Sequence, residues 1–353
     1  MTVELSPLLK KMIAAPGLSG YEAPIREIVA EAWKPLVDEL SVSRLGSLHG
    51  LQRGSGAEPR PSLLVSTHMD AIGMMVTQVV DGFIRFTEIG GLDPRVLPGQ
   101  AVTVHGREDI PGVVAQPRAP LLPPDVRNNA VPMEHLFIDT GLTPKEVARL
   151  VRVGDVVSYA QPPIDLAGEA MAGHSMDNRA SVAALTLALD LLQTRPHSWD
   201  VWAVASAQEE ETLGGAMTSA FQLQPAFAIV VDVTHASSPG APSHKTYPMG
   251  KGPAIGWGPN IHPALFKAAK TIAERMEIPY SVEVMPRHSG TDAYAIQVVA
   301  EGIPSLVISI PLRYMHTPVE VVSLKDIQRT ARLMAELIAS LDVSFMDQMK
   351  WDE

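Results

Sequence analysis

Val201 to Gly215, V-W-A-V-A-S-A-Q-E-E-E-T-L-G-G, is the stretch whose reading decides the fold. Val201 to Ala205 has the length and β-branched content of a buried strand, and its end delivers Glu209, Glu210 and Glu211 in a row. Three carboxylates against a buried run repel one another unless cations or protons neutralise them. The stretch therefore implies a metal or a carboxyl held protonated as an acid.

Outward from this strand, the second half of the chain alternates helix and strand. The pattern predicts helix Asn178 to Gln193, strand Val201 to Ala205, helix Ala216 to Phe221 and strand Ala226 to Val231. Helix Pro263 to Arg275, a strand near Tyr280 to Met285, helix Ala293 to Ala300 and strand Ser305 to Ile310 follow. Ser323 and Asp326 have capping-box spacing and open a last amphipathic helix to about Leu341. The order implies an α/β fold whose mostly parallel sheet carries helices on both faces. Upstream, Leu8 to Ala14 and Ala23 to Trp33 read as helices, Glu39 to Val42 and Ser62 to Thr67 as strands.

From Ile72 to about Pro163 the texture changes to short β-rich runs with frequent Gly and Pro, including M-M-V-T-Q-V-V and F-I-R-F-T-E-I. Leu121 to Asn129 reads as an exposed loop and Thr143 to Leu150 as a short helix. The chain thus divides into a first catalytic part at 1–71, an inserted β-rich domain at 72–164 and a second catalytic part at 165–353.

The 353 residues include 28 Lys or Arg and 39 Asp or Glu, a net charge of -11 that argues against nucleic acid or an anionic membrane as partner. With no cysteine, any metal must be held by His and carboxylates. The N-terminus lacks the basic start and apolar core of a signal peptide, and the apolar run Ala180 to Leu192 is too short to span a bilayer, which takes about 20 residues. The expected location is the cytoplasm.

Residues able to bind metal recur at one topological place. His68 and Asp70 follow strand Ser62 to Thr67, Glu209 and Glu210 follow Val201 to Ala205, Asp232 ends Ala226 to Val231, and His316 comes just after Ser305 to Ile310. Asp177 sits where a helix starts. Sites in open α/β sheets form beyond the carboxyl ends of the strands, so these residues would share one cleft. Two divalent cations are balanced by Asp177, Glu210, Asp232 and one bridging hydroxide, with His68 and His316 neutral. Such a pair lowers the pKa of bound water towards about 7 and polarises a scissile carbonyl. A second carboxylate beside a ligand suits the proton shuttle to the leaving amine. Asp70 could accept the other imidazole N–H of His68.

Each residue also has a bland reading. An isolated histidine like His68 is ordinarily a satisfied core residue, Asp177 could cap a helix, Asp70 and Asp232 could be turn residues, and Glu211 could begin a solvated helix. His316 could be a loop residue. The H-x-D spacing at a strand end and the common placement weigh against these readings. Glu211 is left out of the site, and Asp292 is noted without an assigned step.

The motifs resemble those of the tetrahedral (TET-type) glutamyl aminopeptidases, metallopeptidase family forty-two, some members of which have been labelled endoglucanases. The resemblance is carried by T-H-M-D-A-I-G at Thr67 to Gly73, G-G-L-D-P-R-V-L-P-G-Q at Gly90 to Gln100, M-D-N-R at Met176 to Arg179 and Q-E-E-E-T-L-G-G at Gln208 to Gly215. D-V-T at Asp232 to Thr234, G-K-G-P-A-I at Gly250 to Ile255, G-T-D-A at Gly290 to Ala293 and S-I-P-L-R-Y-M-H-T-P at Ser309 to Pro318 extend it over nearly the whole chain. Ala71 stands where Glu is usual, and Glu211 and Thr212 where a single Val is commoner.

The resemblance implies that His68 and Asp232 bind one metal, Glu210 and His316 the other, that Asp177 bridges them, and that Glu209 is the general base. It implies zinc or cobalt, peptide substrates, a PDZ-like insertion used in oligomerisation, and homo-oligomers built from dimers and reaching hollow dodecamers. Two rivals remain. One is a carboxylate-only glycoside hydrolase using Glu209 with Asp232; the other is a catalytically silent assembly or peptide-binding protein.

Overall fold

The structure, a computed structural model, describes residues 2–351. Among them an 11-stranded sheet forms the body of the molecule. At its centre strands Asp200–Ser206, Ser62–His68, Phe227–His235 and Ser305–Arg313 lie side by side in parallel. Their apolar runs are buried, as expected of strands covered on both faces.

Helix Met176–Leu192, buried along almost its full length, packs on the strands Ser62–His68 and Phe227–His235, with helix Leu324–Ser340 beside it. Helices Gly214–Leu223 and Asp292–Gln297 pack against each other and against the same central strands. Ser66 and Ser206, on neighbouring strands, both donate to Asp292 Oδ2 at the start of that last helix.

The sheet is mixed, which corrects the expectation of a mostly parallel one. Parallel pairing is confined to the central strands and to Ala254–Trp257 with Ser281–Val284. The flanks pair antiparallel, among them Glu39–Val42 with Leu48–Gln52 and Ala170–Gly173 with Glu320–Ser323. The short loop 43–47 joins the first of these pairs, and a parallel pair would need a crossover of a dozen residues or more.

Two local expectations also change. Strand Phe227–His235 runs past Asp232 rather than ending there, because its pairing with Ser305–Arg313 continues to His235. Ser323 precedes the last helix but makes no side-chain cap, and the Asp326 carboxylate instead accepts the N–H groups of Gly250 and Gly252.

The middle of the chain closes into a barrel of strands Gly73–Val80, Phe83–Ile89, Phe137–Asp139, Asp109–Ala115, Ala101–His105 and Val156–Tyr159, in that spatial order. Met74, Val76, Ile84, Phe86, Val102, Val104, Ile138 and Val157 fill it, a core separate from that of the sheet. Helix Pro144–Leu150 forms behind a capping box of Thr143 and Glu146. No helix among the described residues is long and apolar enough to cross a membrane.

Candidate active site

The parallel registers decide the site. Ser206 is level with His68, and Asp232 with Ser309, so the chain segments leaving four strands emerge at one edge of the sheet. His68 is the last residue of its strand. Glu209 and Glu210 occupy the short helix Glu209–Thr212, three residues beyond Ser206. That helix is entered through Gln208 at φ 58, a left-handed conformation uncommon for a residue with a side chain. Glu22 holds it there: its Oε1 accepts the Gln208 N–H at 3.0 Å and the Gly20 N–H at 2.7 Å.

The predicted ligands converge. His68 Nε2 lies 3.1 Å from Asp177 Oδ1, 3.7 Å from Asp232 Oδ1 and 3.8 Å from Glu209 Oε2. His316 Nε2 lies 3.5 Å from Asp177 Oδ2 and 3.4 Å from Glu210 Oε2. The two oxygens of Asp177 therefore face two different imidazoles. Asp177 lies two residues after Ser175, which takes φ 57, and its own φ/ψ is not helical, so helix Met176–Leu192 is kinked in its first turn.

Asp70 has a wider task than the sequence suggested. The nearest acceptor to His68 Nδ1 is the Asp70 main-chain oxygen at 3.2 Å, with carboxylate Oδ1 at 3.5 Å. The carboxylate accepts the N–H of Glu209 at 3.1 Å on Oδ1 and that of Glu210 at 3.2 Å on Oδ2. It sets the turn that presents the Glu pair.

Glu320 is a site residue the sequence reading missed. It is buried, and its carboxylate accepts the N–H of Asp177 at 3.1 Å and that of His316 at 2.8 Å, tying two segments 139 positions apart, 177 to 316. Only its place four residues past His316 could have signalled it. Asp292, noted without a role, lies buried under the cluster on the two serines.

The electrostatics call for cations. Burial raises the carboxyls of Glu209 and Glu210 well above their ordinary range, and neighbouring carboxylates push the same way. Burial, then Asp177, carries Asp232 and Glu320 up to about 8. Burial opposes protonation of His68, but Glu209, Asp177, Asp70 and Asp232 overcome it and hold the ring well above its usual value. Burial also pushes Asp177 up, yet hydrogen bonds from His316 and His68 draw it well below the carboxylate range.

The donor set fits divalent metal ions. His68 with Glu209 and Asp232, and His68 with Asp177 and Glu210, form two groups whose ligand atoms lie within 4.8 Å of one another. Glu210 Oε1 is buried without a hydrogen-bond partner. An acceptor left bare in a protein interior is costly, and a cation would satisfy it.

The cleft above these residues has a volume of about 560 Å³, and Glu283, His288, Thr291, Tyr294 and Met315 complete its wall. Among the described residues neither lysine nor arginine lines it. Glu283 Oε1 accepts from Thr234 Oγ1 at 2.6 Å, while burial pushes its carboxyl up.

A sequence model of the M42 glutamyl aminopeptidase family matches residues 46–333. The chain belongs to the M42 glutamyl aminopeptidase family. It is accordingly a hydrolase of the aminopeptidase class. It is 35% identical over 345 residues to the lysyl aminopeptidase of Pyrococcus furiosus, spanning 95% of this chain and 96% of that one. An aminopeptidase from the archaeon Desulfurococcus kamchatkensis superposes with a TM-score of 0.90 at 33% identity, covering 98% of this chain and 97% of that one. The TET1 peptidase of Pyrococcus horikoshii, described as assembling into a tetrahedron or a large octahedral shell, superposes with a TM-score of 0.83 at 29% identity, over 96% of this chain and 100% of that one.

Proposed function

We propose that this M42 aminopeptidase is a cytoplasmic two-metal enzyme that removes the N-terminal residue of peptides, with Glu209 as general base. The observation that carries this reading is the Asp177 carboxylate, whose two oxygens face His68 at 3.1 Å and His316 at 3.5 Å. His68 and Asp232 would hold one ion, Glu210 and His316 the other, and Asp177 would be shared. Two zinc or cobalt ions would supply polarisation of the scissile carbonyl and acidification of water, and the His and carboxylate donors suit either.

The chain's own groups do the rest. Glu209 lies beside His68 at the cluster, and burial favours the protonated form of its carboxyl, which suits a group that takes up and hands on a proton. It would accept the proton of the attacking water and pass it to the leaving amine. Asp70 orients both glutamates through their backbone N–H groups. Glu320 fixes the backbones of Asp177 and His316.

An acid-walled cleft without lysine or arginine favours a cationic N-terminal residue over a glutamyl one. The lysyl activity named for the Pyrococcus furiosus relative points the same way. Glu283, on the cleft wall, is the group placed to meet such a side chain. The barrel, spanning the insertion at 72–164, would serve as a PDZ-like assembly module, and homo-oligomers up to a dodecamer accord with the shells described for the TET1 peptidase.

The test is a panel of aminoacyl p-nitroanilides with chelator-stripped and zinc- or cobalt-reloaded protein. Activity should vanish with the metal and return with it. Full activity on a glycan in EDTA would favour the carboxylate-only glycosidase instead.

A further inference from the structure

The inserted barrel reaches the candidate metal cluster at the loop that follows strand Phe83–Ile89. The chain leaves strand Phe83–Ile89 at Gly90, which takes φ +72 and donates its N–H to Glu211 Oε1 at 2.6 Å. A Cβ at Gly90 would stand 2.6 Å from Ile72 Cγ2 and 3.5 Å from Glu210 Cβ, and one at Gly91 would stand 2.9 Å from His316 Nδ1. Loop 90–91 is thus pressed against Glu210 and His316 together.

His316 has need of such support. Its side chain is 34% exposed against 2% for His68, and its backbone stands at φ 61, beyond the end of strand Ser305–Arg313. Its main chain is fixed by Glu320, but its ring is steadied on the Nδ1 side by the barrel loop. Partners of this kind, which orient an imidazole through the nitrogen not facing the metal, are worth about 10–100-fold in metal affinity.

We propose that Glu211 is a positioning residue: by holding Gly90 it seats Gly91 on the His316 ring, so that the barrel sets the affinity of the subsite shared by Glu210 and His316. The subsite of His68 and Asp232 is left to the sheet. This rests on the two-metal reading. Glu211 itself is exposed and coordinates nothing; its effect reaches the ion through two glycines and one imidazole.

The experiment compares wild type, Glu211→Ala and Glu211→Gln by calorimetric titration of the metal-stripped chain with Zn²⁺, alongside urea unfolding. Glu211→Ala should weaken one of the two Zn²⁺ affinities by about tenfold and leave the other within about twofold, at an unchanged urea midpoint. Glu211→Gln keeps an oxygen for the Gly90 N–H and should restore the lost affinity. Two wild-type affinities in Glu211→Ala overturn the proposal, as does a Glu211→Gln variant no better than the alanine, which would mark a pure charge effect. Weakening of both ions together with a lower midpoint overturns it in favour of a structural role. A wild-type chain that binds fewer than two Zn²⁺ removes the two-metal reading and the positioning role of Glu211 with it, an outcome separable from the others because it needs no variant.

Discussion

Replacing Glu209 by glutamine separates the general base from the ligands. The amide has the volume of the carboxyl, so the short helix Glu209–Thr212 should keep its place on Asp70, which holds it by the backbone rather than by this side chain. A positioned general base contributes about 10²- to 10⁴-fold, which at 1.36 kcal/mol per tenfold corresponds to about 2.7–5.4 kcal/mol of transition-state stabilisation. The expected loss in kcat for Glu209→Gln is in that range, with KM changed by less than about threefold. Because burial and the neighbouring Asp232, Asp292 and Glu210 disfavour the Glu209 carboxylate, the metal-free variant should be more resistant to urea than metal-free wild type. The assay is steady-state hydrolysis of lysyl p-nitroanilide, with metal content measured on the same samples. The alternative is concrete, since Glu209 also forms a potential ligand group with His68 and Asp232. A variant that retains more than about a third of wild-type kcat, or that loses an ion along with activity, refutes the assignment of Glu209 as base.

Metal-free protein should lose stability as pH rises from about 4 to 8. Asp232 and Glu320 have folded-state values of about 8 against ordinary values of 3.8 and 4.5, so in this window the native chain holds protons that the unfolded chain releases. His68, also raised, adds stability below its ordinary value of 6.5 that is lost as pH climbs further, so the melting temperature should fall with pH in EDTA; a rise would contradict the direction of all three shifts. Glu320→Ala leaves the Asp177 and His316 N–H groups without their acceptor and should cost about 1–3 kcal/mol in urea unfolding while weakening metal uptake. Arg179→Met removes a buried guanidinium that donates to the carbonyls of Met12, Ala15 and Gly17, and should destabilise by about 3 kcal/mol without altering KM in the surviving folded fraction. Glu283→Gln should lower kcat/KM for lysyl substrates about tenfold and leave leucyl substrates nearly unchanged; equal effects on both would remove Glu283 from specificity.

The parts of the fold written in apolar runs were legible. V-W-A-V-A and S-L-L-V-S-T are central strands because both of their faces are covered, so almost every position can be apolar. Leu48–Gln52 went unseen although all five of its residues are buried, because L-H-G-L-Q lacks an apolar run and its polar side chains find partners on distant segments. His49 meets Ser219, Gly50 lies beneath Trp33 and Val37, and the Gln52 amide donates to the Leu36 and Leu189 carbonyls. Local composition cannot announce partners that far away. The small-residue strand Ala170–Gly173 and the edge-side strand Ala254–Trp257 were missed for a related reason: their pairing is set by the strands that flank them.

The candidate site was more legible than its supports, and the difference is physical. A proposed ligand must present a His or carboxylate at the cleft, and parallel strands deliver such residues to one end of the sheet, so residue type and a place near or beyond the carboxyl end of a strand were enough to pick out His68 and Asp232, which lie 3.7 Å apart, and Glu210 and His316, which lie 3.4 Å apart. The supports act through backbone N–H groups, which every residue except proline carries. Asp70 accepts from Glu209 and Glu210, Glu22 from Gln208, Glu320 from Asp177 and His316, and Glu211 from Gly90. Each of these carboxylates is chosen for where its acceptor points, and none differs in sequence from a surface acid. Their number has an electrostatic consequence: cations at the proposed ligands would act on a support such as Glu320 as well, lowering the cost of keeping it ionised. The order of the framework and the presence of metal are therefore coupled, and stripping the ions should loosen the Glu209–Thr212 turn and the His316 loop before it disturbs the sheet. Hydrogen exchange of the metal-free chain would read this directly, with faster exchange at Glu209, Glu210 and His316 than at Val204 or Val231; uniform acceleration across the sheet would break the link between ions and turns.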